Sequence, residues 1–454
     1  MSREGGPRGD PDLPAIGSTG SSPRPPASCP LRQFKFPPGL RALGDPRLRW
    51  IALWLALIPI GLNHLWTTLV VPALTGARFS DFSVYLQGAR TLAAGGDPYA
   101  AFFSSTVPDY NFNQTYIYPP LIAWLLQPVA LLGDGLASWL MQALLQASLV
   151  AFGLLFFRAM GRWTRPEVLL AAVLVMAYLP VRRDLFNDQV NLLLLLASAV
   201  LLLAWMRGDR WWGGAALGAA VAAKLLQAPL GLLLAWGRRW RMLASALAAG
   251  AVLTMVAAPQ FLAEYLFQVL PKISHATGFR ENSSPSAFIE RLLYPQSFFG
   301  GSPGGSLVGV LGLVVAAVVI LVTWRALGRQ PRTDSDGRAV EAAAAVAAVP
   351  LLISVNYHQS LEMLPILVLV SVGIRRGDWL LLGAAAAGWM LPGPVHSAFL
   401  AAIGARFDLE LVLRIWNELQ LLGIVLLWLG CLRALRQPQS AEYQLEEAAL
   451  HEQG

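Results

Sequence analysis

The chain has 454 residues, of which 56% are hydrophobic and only 13% charged. A soluble domain spends about a quarter of its residues on charge to cover its surface, so the composition excludes an ordinary soluble enzyme. The formal net charge of +7 sits in short clusters at the ends of apolar runs, at Arg47 and Arg49, Arg238 to Arg241, Arg375 and Arg376, and Arg433 and Arg436. Such clusters fix membrane topology and form no continuous face for nucleic acid. Cys29 and Cys431, the two cysteines, support neither a disulfide framework nor a thiolate metal site.

Residues 1–49 are rich in Pro, Gly, Ser and Arg without an apolar core, which predicts a disordered cytoplasmic leader. Apolar stretches of membrane-crossing length then recur from Trp50 to Cys431. The predicted spans are Trp50–Leu74, Tyr118–Leu132, Ala137–Phe157, Val168–Pro180, Val190–Met206, Trp212–Trp236, Met242–Leu262, Leu307–Leu327, Val340–Val355, Leu361–Ile374, Trp379–Pro392 and Leu409–Leu432. Several are short, as in a bundle whose middle is cut by a cavity. The expected fold class is therefore an all-α polytopic membrane protein of about twelve spans. Its membrane domain covers residues 50–432, and residues 433–454 form a polar cytoplasmic tail.

The Arg-rich leader places the N-terminus inside, so loop 75–117 lies outside, as does loop 263–306. Tyr118–Leu132 has two parses, a full span, or a re-entrant segment with Trp212–Trp236 as a half-depth hairpin. Within the first loop, Phe82, Tyr85, Leu86, Ala89 and Leu92 make a helical stripe. Ser80 or Asp81 can cap its start, and Gly95–Gly96 ends it. Phe261 to Ser274 has the same character. Both predict amphipathic helices on the membrane surface.

Ionisable groups within spans cost about 2.5–3.5 kcal/mol at a helix centre, so each calls for a reason. Lys224 stands in an otherwise apolar run and needs an anion, a water-filled cavity or an interface to snorkel to. A lipid-linked phosphate would supply the anion. Arg182, Arg183, Asp184, Asn187, Asp188, Gln189 and Asn191 form a polar knot between two spans; a buried Asn191 amide needs partners. His358, beside Asn356, Tyr357, Gln359, Ser360 and Glu362, is either a polar tip at the headgroups or an exterior cation for phosphate. Asp81 needs no purpose beyond capping its helix. Phosphate loops, dinucleotide fingerprints, zinc spacings and nucleophile elbows are all absent from the sequence.

Several elements in order carry a resemblance. They are Asp81-Phe82-Ser83-Val84-Tyr85, then Gly95-Gly96-Asp97-Pro98-Tyr99, then Tyr116-Ile117-Tyr118-Pro119-Pro120 with Gln127-Pro128 further on. Asp188-Gln189-Val190-Asn191 follows, and then Gly214, Gly218, Lys224 and Pro229 before the basic turn Arg238 to Arg241. Asn282 to Ser286 with Arg291, and Ser354, His358 and Leu364-Pro365, complete the set. The set resembles the GT-C glycosyltransferases, and within them glycosyltransferase family 87. Asp188 stands where the family usually has Gly, and Ser283 to Pro285 depart from its Asn-Gln-Ser-Leu pattern.

The resemblance implies a GT-C bundle that moves a sugar from a polyprenyl-phosphate donor to an acceptor hydroxyl on the extracytoplasmic face of the cell membrane, with inversion. Asp81 matches the position of the general base, and His358 that of a second catalytic group. Lys224, Arg280 and Arg291 are the cations for the donor phosphate, with Asn191, Gln189 and Tyr118 as further substrate-binding residues. The resemblance implies no metal and no other cofactor. Its partners are the polyprenyl-phosphate sugar, a glycolipid or glycan acceptor and membrane lipids, with no nucleic acid. Mannose is the leading sugar and arabinofuranose the alternative. A transporter or flippase of lipid-linked saccharides shares the topology and intramembrane cations, but the related halves expected of many transporters are not visible.

Overall fold

The computed structural model describes residues 45–71, 80–104, 115–161, 163–274, 282–295, 297, 305–328, 332, 334–356, 360–391 and 409–437. The described residues are overwhelmingly helical. In chain order they form α1 (Pro46–Leu65), α2 (Ser80–Ala93), α3 (Ala100–Ser104), α4 (Pro120–Ala130), α5 (Gly133–Met160) and α6 (Arg165–Ala177). Next come α7 (Leu179–Phe186), α8 (Asn191–Met206), α9 (Trp211–Ala223), α10 (Pro229–Trp236), α11 (Trp240–Val256), the bent-off stretch α12 (Pro259–Ile273) and α13 (Pro285–Leu293). The last are α14 (Ser306–Leu327), α15 (Ser335–Leu352), α16 (Met363–Arg376), α17 (Trp379–Met390) and α18 (Leu409–Arg436).

Local chemistry sets many of the helix starts. Asp45 caps α1 by accepting from the Arg47 amide at 2.8 Å, with Pro46 in the first turn. Thr164 and Glu167 form a capping box on α6, the Glu167 carboxylate accepting the Thr164 amide at 2.7 Å. Asp378 caps α17 through the amides of Leu380 and Leu381.

Burial separates the core of the bundle from its lipid-facing wall. Only 11% of the apolar window of α1 and 17% of that of α14 are buried against protein, and residues such as Leu55 and Leu313 lie bare. Long helices that are apolar all round and open on the outside belong in hydrocarbon. By contrast α15 is buried along nearly its whole length, from Ala339 to Leu351, and α8 is buried almost as fully. These two helices form the centre, with α5, α9, α16 and α18 around them.

Length does not confirm the expected count of about twelve spans. Among the described residues four helices are long and apolar enough to cross a membrane, or five if the pair α11 and α12 is one broken span. The apolar helices α4, α8, α9 and α17 are shorter, with 11, 16, 13 and 12 residues. At 1.5 Å per residue these reach about 16–24 Å, short of a hydrocarbon core of about 30 Å. The stretch Trp212–Trp236, expected as one span or as a half-depth hairpin, is two helices. Lys224 takes an extended conformation, with φ −156° and ψ 121°, and a one-turn 3-10 segment (Leu225–Gln227) leads into α10. Pro229 opens α10 without an amide to donate, which favours a fresh start there.

The two loop stretches with helical periodicity both form helices. α2 ends two residues before Gly95, which has φ 76°. α12 turns away from α11 by 103° at Ala258, itself left-handed at φ 58°. The opposite end of the bundle carries the arginines. There Arg239 lies 3.8 Å over the Trp205 ring and 2.6 Å from the Glu341 carboxylate, and pairs also with Asp209. Arg375 holds Asp336 at 2.5 Å. Paired, these charges tolerate burial.

Candidate active site

α2 brings the first candidate into place. Phe82, Tyr85, Leu86 and Ala89 bury its apolar stripe, and Asp81 sits in its first turn, half-buried. Below it the Tyr116 ring occupies the space that a side chain at Gly88 would need, so that α2 and α4 approach closely. The Tyr116 hydroxyl donates to the Pro119 carbonyl at 2.6 Å and accepts from the Ala123 amide at 3.1 Å. Tyr99 donates to the Tyr118 carbonyl at 2.8 Å and stacks on Tyr265 of α12, with centroids 6.0 Å apart. The two surface stretches α2 and α12 thus share one aromatic wall.

The junction between α7 and α8 supplies the second part. Asp188 has φ 48°, in the left-handed region that favours glycine. A carboxylate is kept there because it is anchored: Ser138 donates to it at 2.8 Å and Gln142 at 2.5 Å, both from α5. Burial pushes the Asp188 carboxyl up to about 6, against the pull of those two hydrogen bonds. Gln189 donates to the Asp81 carboxylate at 2.6 Å and accepts from the Tyr85 hydroxyl at 2.8 Å. Two residues on, buried Asn191 accepts from the Lys224 ammonium at 2.9 Å and donates to Asp184 at 2.8 Å.

The break between α9 and α10 supplies the third. Gly214 and Gly218 let α9 lie backbone to backbone on α11, since a Cβ at either would overlap a carbonyl, of Met242 or of Ala246. Lys224 ends that helix, its ammonium 5.4 Å from the Tyr118 ring centroid. The Tyr118 ring in turn lies 4.7 Å from that of Tyr85. The carboxylates of Asp184 and Asp81 both attract Lys224. Five expected site residues, Asp81, Gln189, Asn191, Lys224 and Tyr118, therefore meet in one cluster.

Arg291 has other partners. On α13 it is buried, donating to the Glu418 carboxylate at 2.9 Å and to the Asn282 carbonyl at 2.8 Å. His358 and Arg280 lie outside the described residues. Their neighbours are informative nonetheless. Asn282 to Ser284 pair with Ser354 and Asn356: Ser283 donates its amide to the Asn356 carbonyl at 2.9 Å, and the Asn282 carboxamide receives the Asn356 amide at 2.9 Å. The two late sequence elements of the resemblance are thus zipped together.

Sequence reasoning did not assign roles to Asp184, Tyr178 or Glu362. Tyr178 donates to the Glu362 carboxylate at 2.8 Å across 184 positions of chain. Glu362 also interacts with Asn356, and Ser360 lies against the Asp184 carboxylate. Asp184 precedes Asn191 by seven residues, two helical turns, and that spacing inside the polar knot was the available signal. Among the described residues, no group of three His, Cys, Asp or Glu side chains is placed to hold a metal ion.

Residues 116–355, more than half of the chain, match the model of glycosyltransferase family 87. A polyprenol-phosphate-mannose-dependent alpha-(1-2)-phosphatidylinositol pentamannoside mannosyltransferase of Mycolicibacterium smegmatis is 30% identical over 290 residues, covering 62% of this chain and 67% of the relative. The enzyme of the same name from Mycobacterium tuberculosis is 29% identical over 295 residues, covering 62% of this chain and 64% of its own length. Asp81 precedes the stretch matched by the family model. Gln189, Asn191 and Lys224 fall inside it, and together with the apolar helices the match means that the chain belongs to glycosyltransferase family 87 and is a membrane glycosyltransferase.

Proposed function

We propose that this chain transfers a mannosyl residue from a polyprenyl-phosphate donor to a hydroxyl of a glycolipid acceptor, at the extracytoplasmic face of the cell membrane and with inversion. One observation carries the reading: Asp81 and Lys224 are held by Gln189 and Asn191, two positions apart. A base and a phosphate cation held by residues this close in the chain can flank an anomeric carbon.

In the proposed step the acceptor oxygen forms the new bond to the anomeric carbon as the bond to the phosphate oxygen breaks. The hydroxyl proton passes to Asp81. The electron pair of the broken bond leaves with the polyprenyl phosphate, whose charge Lys224 stabilises. A phosphate leaves readily at neutral pH, so this reading needs no strong acid and invokes no metal. The half-buried Tyr118 supplies an apolar face against which a pyranose can lie. His358 is retained as a further group of the site, and Arg280 as a further phosphate cation. Mannose is preferred over arabinofuranose because both mycobacterial relatives are named for it.

Membranes bearing the protein, given polyprenyl-phosphate mannose with labelled sugar and a phosphatidylinositol mannoside, should yield a longer glycolipid with one more α-linked mannose, read by mass spectrometry. Labelled product from the arabinofuranosyl donor and none from the mannosyl donor would replace the sugar. Movement of intact donor across vesicles, with no new glycosidic bond from either donor, would replace the reaction.

A further inference from the structure

Lys224 is the cation that the proposed function sets against the donor phosphate, yet a lysine side chain has four rotatable bonds and no intrinsic aim. What aims it is Asn191, whose carboxamide oxygen receives the ammonium at 2.9 Å. A carboxamide offers one accepting end and one donating end. An ammonium can only donate and so takes the oxygen, and the other end donates at 2.8 Å to Asp184. Asp184 is 3% exposed, sits on the eight-residue helix α7, and has Ser360 against its carboxylate.

We infer that Asp184 is a positioning residue for the donor site: by holding the NH2 end of the Asn191 carboxamide it fixes where the carboxamide oxygen receives Lys224. The inference rests on the assignment of Lys224 to the donor phosphate. An acidic partner is well suited to this place. Burial raises the Asp184 carboxyl to about 7, and in its ionised form it can only accept from that NH2 group. The intervening carboxamide also keeps the negative charge of Asp184 one residue further from the incoming phosphate, which a direct ion pair with Lys224 would not. Close by, Glu362 fastens the short 3-10 turn Ser360–Glu362 to Tyr178, immediately before α7.

The test uses the full-length protein in detergent and in membranes. Asp184→Asn retains size but replaces the charged acceptor with a neutral amide, which loosens the hold on the Asn191 NH2 group. Its expected effect is a loss of about tenfold or more in affinity for polyprenyl phosphate alone, measured by direct binding, and an equal rise in donor KM with acceptor KM unchanged. Combined with Asn191→Ala it should cost no more than Asn191→Ala by itself, because the two act in series. A purely structural role would instead lower the melting temperature and raise both KM values together; that outcome, or additive losses, overturns the inference. If Asp184→Asn does not accumulate, Asn191→Ser cuts the same relay with the carboxylate retained, and unchanged polyprenyl-phosphate affinity in that variant overturns it too. Absence of mannosyl transfer by the wild-type protein, with the binding effects present, would count against the proposed function and leave the relay standing. A wild-type protein that binds no polyprenyl phosphate overturns both.

Discussion

Gly214 lies directly against the backbone of Met242, with no room for a Cβ between α9 and α11. Gly218 and Ala246 repeat the contact one turn on. Small residues at this spacing let two membrane helices pack by their backbones. Gly214→Ala and Gly218→Ala should each destabilise the protein by about 1–3 kcal/mol or more, since backbone atoms cannot yield as a flexible side chain can. Thermal unfolding in detergent reads this directly, and the same change at Gly309, where nothing lies within 4 Å, serves as the control. Equal melting temperatures for all three would remove the close-packing account.

The assignment of base and cation makes separable kinetic predictions. Asp81→Asn keeps a hydrogen-bonding partner for Gln189 but cannot take a proton, so kcat should fall by about 10²–10⁴ with donor binding little changed. Lys224→Met should weaken donor binding and lower kcat as well, by about 10²–10³. Steady-state assays with lipid-linked mannose distinguish the two patterns. Near-normal turnover in Asp81→Asn would remove its role as base.

Position 188 couples backbone strain to an anchor. Asp188→Gly keeps the left-handed turn but loses the hydrogen bonds from Ser138 and Gln142. Asp188→Ala loses both bonds and adds the cost of φ 48°, about 1 kcal/mol. The expected order of melting temperatures is wild type, then Gly, then Ala. An Ala variant as stable as the Gly variant would show that the backbone relaxes there.

At the arginine-rich end, Asp378 should contribute a pH-dependent increment of stability. Burial raises its carboxyl, but Gln437, the amides of Leu380 and Leu381, and Arg433 outweigh it, so the group is held below its ordinary value. A depressed acid stabilises the fold above its unfolded-state value and stops doing so as pH falls through the lower, folded one. The increment should therefore be present at neutral pH and fade below about pH 4. Comparing melting temperatures of wild type and Asp378→Asn from neutral to acidic pH checks this. A difference between them that stays constant over the range would contradict it.

The helix of residues 80–93 was legible because its stripe and terminal glycines agree. Lys224 was legible because charge in an apolar run is costly. The exact place of its helix break was not, since the hydrophobic pattern runs on unchanged from Ala223 into Leu225 and only backbone geometry marks the interruption. Arg291 was expected as a phosphate cation from the resemblance. Its commitment to Glu418 depends on a helix more than a hundred residues later, which no local pattern reveals. For Asp184 the limit was similar: Asn191 and Lys224 are 33 positions apart, and the carboxylate gains meaning only once they touch.

The glycine contacts of α9 bear on insertions as well as on substitutions. Gly214 and Gly218 fix how that helix is rotated against α11, and Lys224 ends it six residues after Gly218. One extra residue inserted between them would swing the ammonium through about 100° and carry it about 1.5 Å along the axis. The protein would remain inserted, folded and packed, yet its lysine would point at a neighbouring helix. In this architecture the reach of a single charge is set by counting residues from a contact that has no side chain at all.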